Sequence, residues 1–168
     1  MMKYTVVDGH CDTPMELWIK QESLLDNTGM VSLRRAEKLP GYVQFFAFCT
    51  VWLHKDGSLE ESYLSALENF RGELEKHADR IVRCGNEREA RAAIKAGKCG
   101  AFLSIEGAEA ISCDPGKLDL AYAQGVRMIA PAWNAQNALA GSCVTGGGLT
   151  RQGKEFVRRA QKLGIVLD

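Results

Sequence analysis

The residues best suited to chemistry lie near the start of the chain, where one residue separates His10 from Asp12. The β-branched, aromatic and apolar run 4–7 predicts a strand, in which successive side chains alternate between faces. We therefore expect His10 and Asp12 to point the same way and Cys11 to point the other way. An imidazole beside a carboxylate offers two ligands for a divalent metal ion. A plain His–Asp hydrogen bond in a loop explains this common tripeptide equally well.

A third candidate ligand comes from the middle of the chain. Glu106 ends the apolar run 101–105 and is followed by Gly107, which again indicates a strand with a ligand residue at its carboxyl end. In a (β/α)8 barrel the carboxyl ends of all strands meet at one mouth. Residues of this type at two strand ends therefore favour that fold.

Helical patterns alternate with strand-like runs, as in parallel βαβ units. Strands are expected at 5–8, 43–53, 101–105, 126–130 and 165–167. Residues that can cap a helix start the expected helices, at Ser58, Asn86, Asp114 and Thr150. A (β/α)8 barrel usually takes about 250 residues. We therefore expect an α/β fold with only the first roughly five βα units of a TIM-like (β/α)8 barrel, a partial barrel forming a single domain over residues 1–168.

Composition excludes several classes of protein. The 21 basic and 21 acidic residues balance and form no basic stripe, which disfavours nucleic acid as a partner. No apolar run is long enough to span a bilayer, and the expected first strand leaves no room for a signal peptide. The 6 cysteines show no CxxC spacing, as expected for reduced thiols. These features favour a cytoplasmic protein without a membrane partner.

Several segments together resemble the membrane (renal) dipeptidase family of zinc peptidases. They are Asp-Gly-His-Cys-Asp-Thr-Pro at 8–14, Gln-Phe-Phe at 44–46, Ile-Glu-Gly at 105–107 and Gly-Leu-Thr at 148–150. The resemblance runs from about Val6 to Asp168 and independently implies the barrel fold. In that family a further ligand histidine follows a few residues beyond the position of Asp168, so the resemblance covers the family's N-terminal half.

The resemblance implies a site with two zinc ions. His10 and Asp12 would bind one zinc and the catalytic Glu106 would bridge both, while the remaining ligands come from the family's C-terminal half. A water between the two ions would be strongly acidified, and the hydroxide that it forms would attack the peptide carbonyl. The implied reaction is hydrolysis of dipeptides, including those with a D-residue at the C-terminal position.

Three residues of the segment after the strand at 126–130 are expected to contact the substrate: Trp133, Asn134 and Asn137. Membrane-anchored members of the family often carry a histidine at the position of Trp133, whose indole offers only an N–H donor. Bacterial-type relatives are similar to the Trp-Asn-x-x-Asn pattern found here. The two asparagines serve equally well as turn-forming residues.

Two other functions remain open. A different metal-dependent amidohydrolase of the barrel class would usually open with His-x-His, whereas Asp12 takes the second place here. A truncated fragment without catalysis would lack the ligands of the second half. A partial barrel exposes strand edges and apolar surface, which favours self-association or a homodimer. His54 and His77 are expected at the surface, away from the site.

Overall fold

The structure is a computed structural model that describes residues 4–51 and 58–168. Its strands are β1 (Val6–Asp8), β2 (Tyr42–Cys49), β3 (Ile81–Arg83), β4 (Cys99–Glu106), β5 (Val126–Ala130), β6 (Ala140–Ser142), β7 (Gly146–Leu149) and β8 (Val166–Leu167). Its α-helices are α1 (Thr13–Lys20), α2 (Leu33–Ala36), α3 (Leu59–Lys76), α4 (Glu87–Lys95), α5 (Leu118–Gln124) and α6 (Arg151–Leu163). Short 3-10 helices span Ala108–Ile111 and Pro115–Lys117.

All described strands except β6 and β7 belong to one sheet. Its order is β1-β2-β4-β5-β8, with β3 beside β4, and the β1–β2, β3–β4 and β5–β8 pairs are parallel. The hairpin consists of the antiparallel strands β6 and β7. Parallel strands joined through helices confirm the predicted α/β class.

The chain forms two compact units, one of residues up to 47 with 65–103 and the other of 48–64 with 104–168. In the first unit the rings of Phe46 and Phe70 pack with their centroids 4.8 Å apart. In the second, Phe48 and Tyr63 meet edge to face at 5.5 Å. The boundaries between the units fall inside β2, α3 and β4. The single domain over residues 1–168 that the sequence predicts stays a prediction.

Side-chain caps begin the helices where the sequence predicts them. Ser58 Oγ accepts a hydrogen bond from the Glu61 N–H at 3.1 Å, and Glu61 Oε2 accepts one from the Ser58 N–H at 2.7 Å. Asn86 Oδ1 accepts from the Glu89 N–H at 3.0 Å. Each cap satisfies a donor that the first helical turn leaves unpaired, which fixes the start of α3 and α4.

Other elements of the structure were not expected from the sequence. They are α1, α2, the three-residue strand β3 and the hairpin of β6 and β7. The strand expected at 43–53 begins at Tyr42 and ends at Cys49, and positions 52 and 53 lie outside the described residues. The surface position expected for His77 is wrong, because its side chain is buried against Glu73. His54 lies outside the described residues.

None of the helices in the described part of the chain is both long and apolar enough to cross a membrane. All six cysteines fall within that part and are free thiols.

Candidate metal centre

The segment carrying His10 and Asp12 lies just beyond β1, which ends at Asp8. Its backbone is held against β2, because the Cys11 N–H donates to Phe45 O at 3.1 Å and the Ala47 N–H donates to Cys11 O at 2.8 Å. Cys11 is buried, and burial raises the pKa of its thiol to about 12. The Cys11 thiol therefore stays protonated at neutral pH.

The side chains of His10 and Asp12 face each other. His10 Nε2 lies 3.7 Å from Asp12 Oδ1. Asp12 stands at the N-cap of α1, where an aspartate would normally accept a backbone hydrogen bond, yet its side chain makes no such bond. Its Oδ1 is buried and accepts no hydrogen bond from the described residues. The carboxylate thus has an unsatisfied oxygen pointing at an imidazole, which suits a shared cation.

Residues of β1 and β2 orient this segment. Asp8 Oδ1 accepts from the His10 N–H at 3.2 Å, and Gln44 Nε2 donates to Phe45 O at 2.9 Å and to Asp8 O at 3.4 Å. The Tyr42 hydroxyl donates to Gln44 Oε1. Burial raises the pKa of Tyr42, so its hydroxyl keeps the proton that it donates. Tyr42 was not expected to support the site.

Glu106 is the last residue of β4, as the sequence predicts. Glu106 is half-buried at this strand end and is the carboxylate that the family resemblance assigns to the same metal site. Two donors about 2.1 Å from one zinc ion stand at most about 4.2 Å apart. The 3.7 Å between His10 and Asp12 fits that limit. One imidazole and two carboxylates form a donor set that zinc accepts.

The three residues expected to contact the substrate differ in their exposure and hydrogen bonding. Trp133 is 37% exposed, and a Cβ built on Gly107 would lie 3.7 Å from the Trp133 Cβ. Trp133 therefore stands beside the residue that follows Glu106. Asn134 is exposed on the same loop, and Asn137 is half-buried and hydrogen-bonded to the chain.

The sequence model of the family described as membrane dipeptidase (peptidase family M19) matches residues 1–168. The chain belongs to this family. The expected family resemblance is therefore confirmed over the whole chain.

Relatives and solved structures agree with this membership. An uncharacterized protein of the PQQ-III 3' region of Acinetobacter calcoaceticus is 26% identical over 97% of this chain and 62% of its own length. The crystal structure of the M19 metallopeptidase called dipeptidase AC superposes with a TM-score of 0.83 at 24% identity, over 99% of this chain and 56% of that one. A metallopeptidase from Rhodobacter sphaeroides, liganded with a phosphinate mimic of the dipeptide L-Ala-D-Ala, gives a TM-score of 0.82 at 24% identity, over 99% and 58%.

These likenesses confirm the predicted fold, the first part of the (β/α)8 barrel of the M19 peptidases. The chain spans between 56% and 62% of the lengths of these proteins.

Proposed function

We propose that this protein acts in zinc-dependent hydrolysis of dipeptides. The observation that carries the proposal is the facing pair of His10 and Asp12, whose Nε2 and Oδ1 atoms lie 3.7 Å apart. Membership of the membrane dipeptidase family supports the reaction class, and the unsatisfied Asp12 Oδ1 supports a bound cation.

Each residue has a separate role in this proposal. His10 and Asp12 would hold one zinc, and Glu106 would be a ligand shared with a second zinc. Bound zinc supplies an acidified water as nucleophile and polarises the scissile carbonyl. In this proposal the Trp133 indole N–H and the Asn134 amide orient the dipeptide. A complete two-zinc site needs more donors than His10, Asp12 and Glu106.

The proposed substrate class is a dipeptide, including one with a C-terminal D-residue. The Rhodobacter structure supports this choice, because its ligand mimics L-Ala-D-Ala. A homodimer or other self-association and a cytoplasmic location belong to the same proposal.

The test combines zinc binding with hydrolysis of L-Ala-D-Ala by the 168-residue chain and by a longer form with the remaining part of an M19 barrel. We expect His10→Ala, Asp12→Asn and Glu106→Gln each to weaken zinc binding by tenfold or more, on the order found when a metal site loses a supporting group. Glu75→Gln removes an exposed carboxylate of α3 and is the matched control.

The outcomes separate the open functions. Zinc binding that needs His10, together with dipeptide hydrolysis in the longer form, supports the dipeptidase. Hydrolysis of a cyclic amide without dipeptide hydrolysis would favour the amidohydrolase. Full zinc affinity in the Glu106→Gln variant, or no zinc in any form, would overturn the proposal and favour a fragment without catalysis.

A further inference from the structure

The chain turns sharply directly after the proposed metal ligand Glu106. Gly107 has a φ of +87°, a conformation that other residues rarely adopt. A Cβ at this position would lie 2.8 Å from Glu109 Oε2 and 3.3 Å from Val51 Cγ1. The positive φ therefore favours glycine at this position, and the Glu109 side chain folds back against the backbone beside Glu106.

The Glu109 carboxylate is only half satisfied. Its Oε1 accepts a hydrogen bond from Asn137 Nδ2 at 2.9 Å. Its Oε2 is buried and has no hydrogen-bond partner among the described residues. Withdrawing a carboxylate from water is costly unless its oxygens are paired. The Glu109 carboxylate carries this desolvation cost one turn after the proposed metal ligand Glu106. An unsatisfied buried polar group at such a place indicates a functional role.

Asn137 joins three segments of the same unit. Its Nδ2 donates to Glu109 Oε1 at 2.9 Å and to Pro131 O at 2.8 Å. Its Oδ1 accepts from the Leu139 N–H at 2.8 Å and the Ala140 N–H at 3.1 Å. These bonds use both hydrogens and both lone pairs of the amide. Its side chain therefore has nothing left to offer a substrate, although the sequence suggested that contact.

We propose that Asn137 and Glu109 are positioning residues for the metal ligand Glu106. The pair fixes the turn at Gly107 to the loop after β5, which also carries Trp133, and to the start of β6. This assignment rests on the proposed function, because it gives Glu106 the role of zinc ligand. The alternative is that the same bonds only stabilise the fold.

The deciding variant is Asn137→Asp, which exchanges one NH2 group for an oxygen. It keeps the acceptor for the Leu139 and Ala140 N–H groups but loses both donor bonds and sets a second carboxylate against Glu109. Gln136→Glu makes the same chemical change at the preceding, exposed residue and is the matched control. Negative charge near a cation site favours cation binding. Electrostatics alone therefore predicts equal or tighter zinc binding in both variants.

A positioning role for Asn137 predicts weaker zinc binding in the Asn137→Asp variant. We expect folded Asn137→Asp to bind zinc at least about tenfold more weakly than wild type, the range found for groups that orient metal ligands. Gln136→Glu should bind at least as tightly as wild type. Equal zinc affinity in the two variants would overturn the positioning role, while zinc binding that still depends on His10 would leave the proposed function standing. No zinc binding by the wild type would overturn both.

A second variant tests the proposal if Asn137→Asp does not fold. Glu109→Ala removes the half-satisfied carboxylate, so the melting temperature should stay the same or rise, while the zinc dissociation constant should rise about tenfold. Glu109→Gln keeps the acceptor for Asn137 and should restore most of the affinity. A lower melting temperature of Glu109→Ala with unchanged zinc affinity would show a purely structural role.

Discussion

At the scale of single residues, a carboxylate in the first unit ties the loop after α1 to α3. Glu73 Oε2 accepts hydrogen bonds from the Leu24 N–H at 2.6 Å and from Ser23 Oγ at 2.8 Å, and lies 3.4 Å from His77 Nε2. Burial acts to raise the pKa of Glu73, but these hydrogen bonds and Lys76 outweigh it and lower the pKa. The ionised carboxylate therefore holds the loop in place.

The lowered pKa of Glu73 makes the stability of the protein depend on pH. A carboxyl group with a folded-state pKa below its ordinary value of 4.5 stabilises the fold above that value and loses the effect as the pH falls. We expect Glu73→Gln to lower the free energy of unfolding at pH 7. Its difference from wild type should shrink as the pH drops below 4.5.

Urea unfolding at a series of pH values measures this difference. Glu75→Gln, an exposed carboxylate on the same helix, is the control and should match wild type throughout. A Glu73→Gln difference that is constant from neutral to acid pH would contradict the role of the charge.

At the scale of elements, the start of α6 is fixed against the segment before β6. The Thr150 N–H donates to Leu139 O at 2.8 Å, and the Thr150 hydroxyl donates to Ala138 O at 2.8 Å. Gly153 lies so close that a Cβ there would stand 2.0 Å from Leu139 O. The absence of a side chain at Gly153 therefore allows the helix and this segment to touch.

The two helical glycines Gly153 and Gly72 should respond oppositely to the same substitution. Gly153→Ala forces a methyl group against the backbone and should lower stability by about 1–3 kcal/mol. Gly72 lies in α3 with nothing within 4 Å of a built Cβ, so Gly72→Ala should raise stability by about 0.5–1 kcal/mol. Thermal unfolding measures both, and a stabilised Gly153→Ala would show that α6 does not lie against this segment.

At the scale of the whole molecule, the first unit leaves an apolar face open to solvent. Val7 on β1 is 64% exposed, and the rings of Phe45 and Phe102 stack with centroids 4.8 Å apart in the same groove. Among the described strands β1 pairs only with β2, so its other edge is unpaired. Exposed apolar surface next to an open strand edge promotes association.

We expect the chain to self-associate through this face in a concentration-dependent way. Val7→Lys puts a charge on the open strand, where the side chain is already exposed, and should shift the protein towards the monomer. Val144→Lys, at a residue 77% exposed in the second unit, should leave the association unchanged. Light scattering over a range of concentrations measures the mass, and a wild-type monomer throughout would refute the expectation.

Much of this structure follows from local sequence patterns. The caps at Ser58, Asn86 and Thr150 and the apolar strand 126–130 appear where they are predicted, because each depends on neighbouring residues. By contrast, β3 has only three residues and exists through its pairing with β4. Short elements that depend on distant partners leave no periodic pattern to detect.

The sequence by itself determined the α/β class, because strand and helix patterns are local properties, and it named His10, Asp12 and Glu106 as candidate metal ligands through the family resemblance. Only the tertiary structure decided which polar side chains are hydrogen-bonded to other residues of the protein. It pairs Asn137 with Glu109 rather than leaving its amide for a substrate, and it buries His77 against Glu73. Hydrogen bonds between residues far apart in the chain depend on how the elements pack, and packing is fixed only when the whole fold forms.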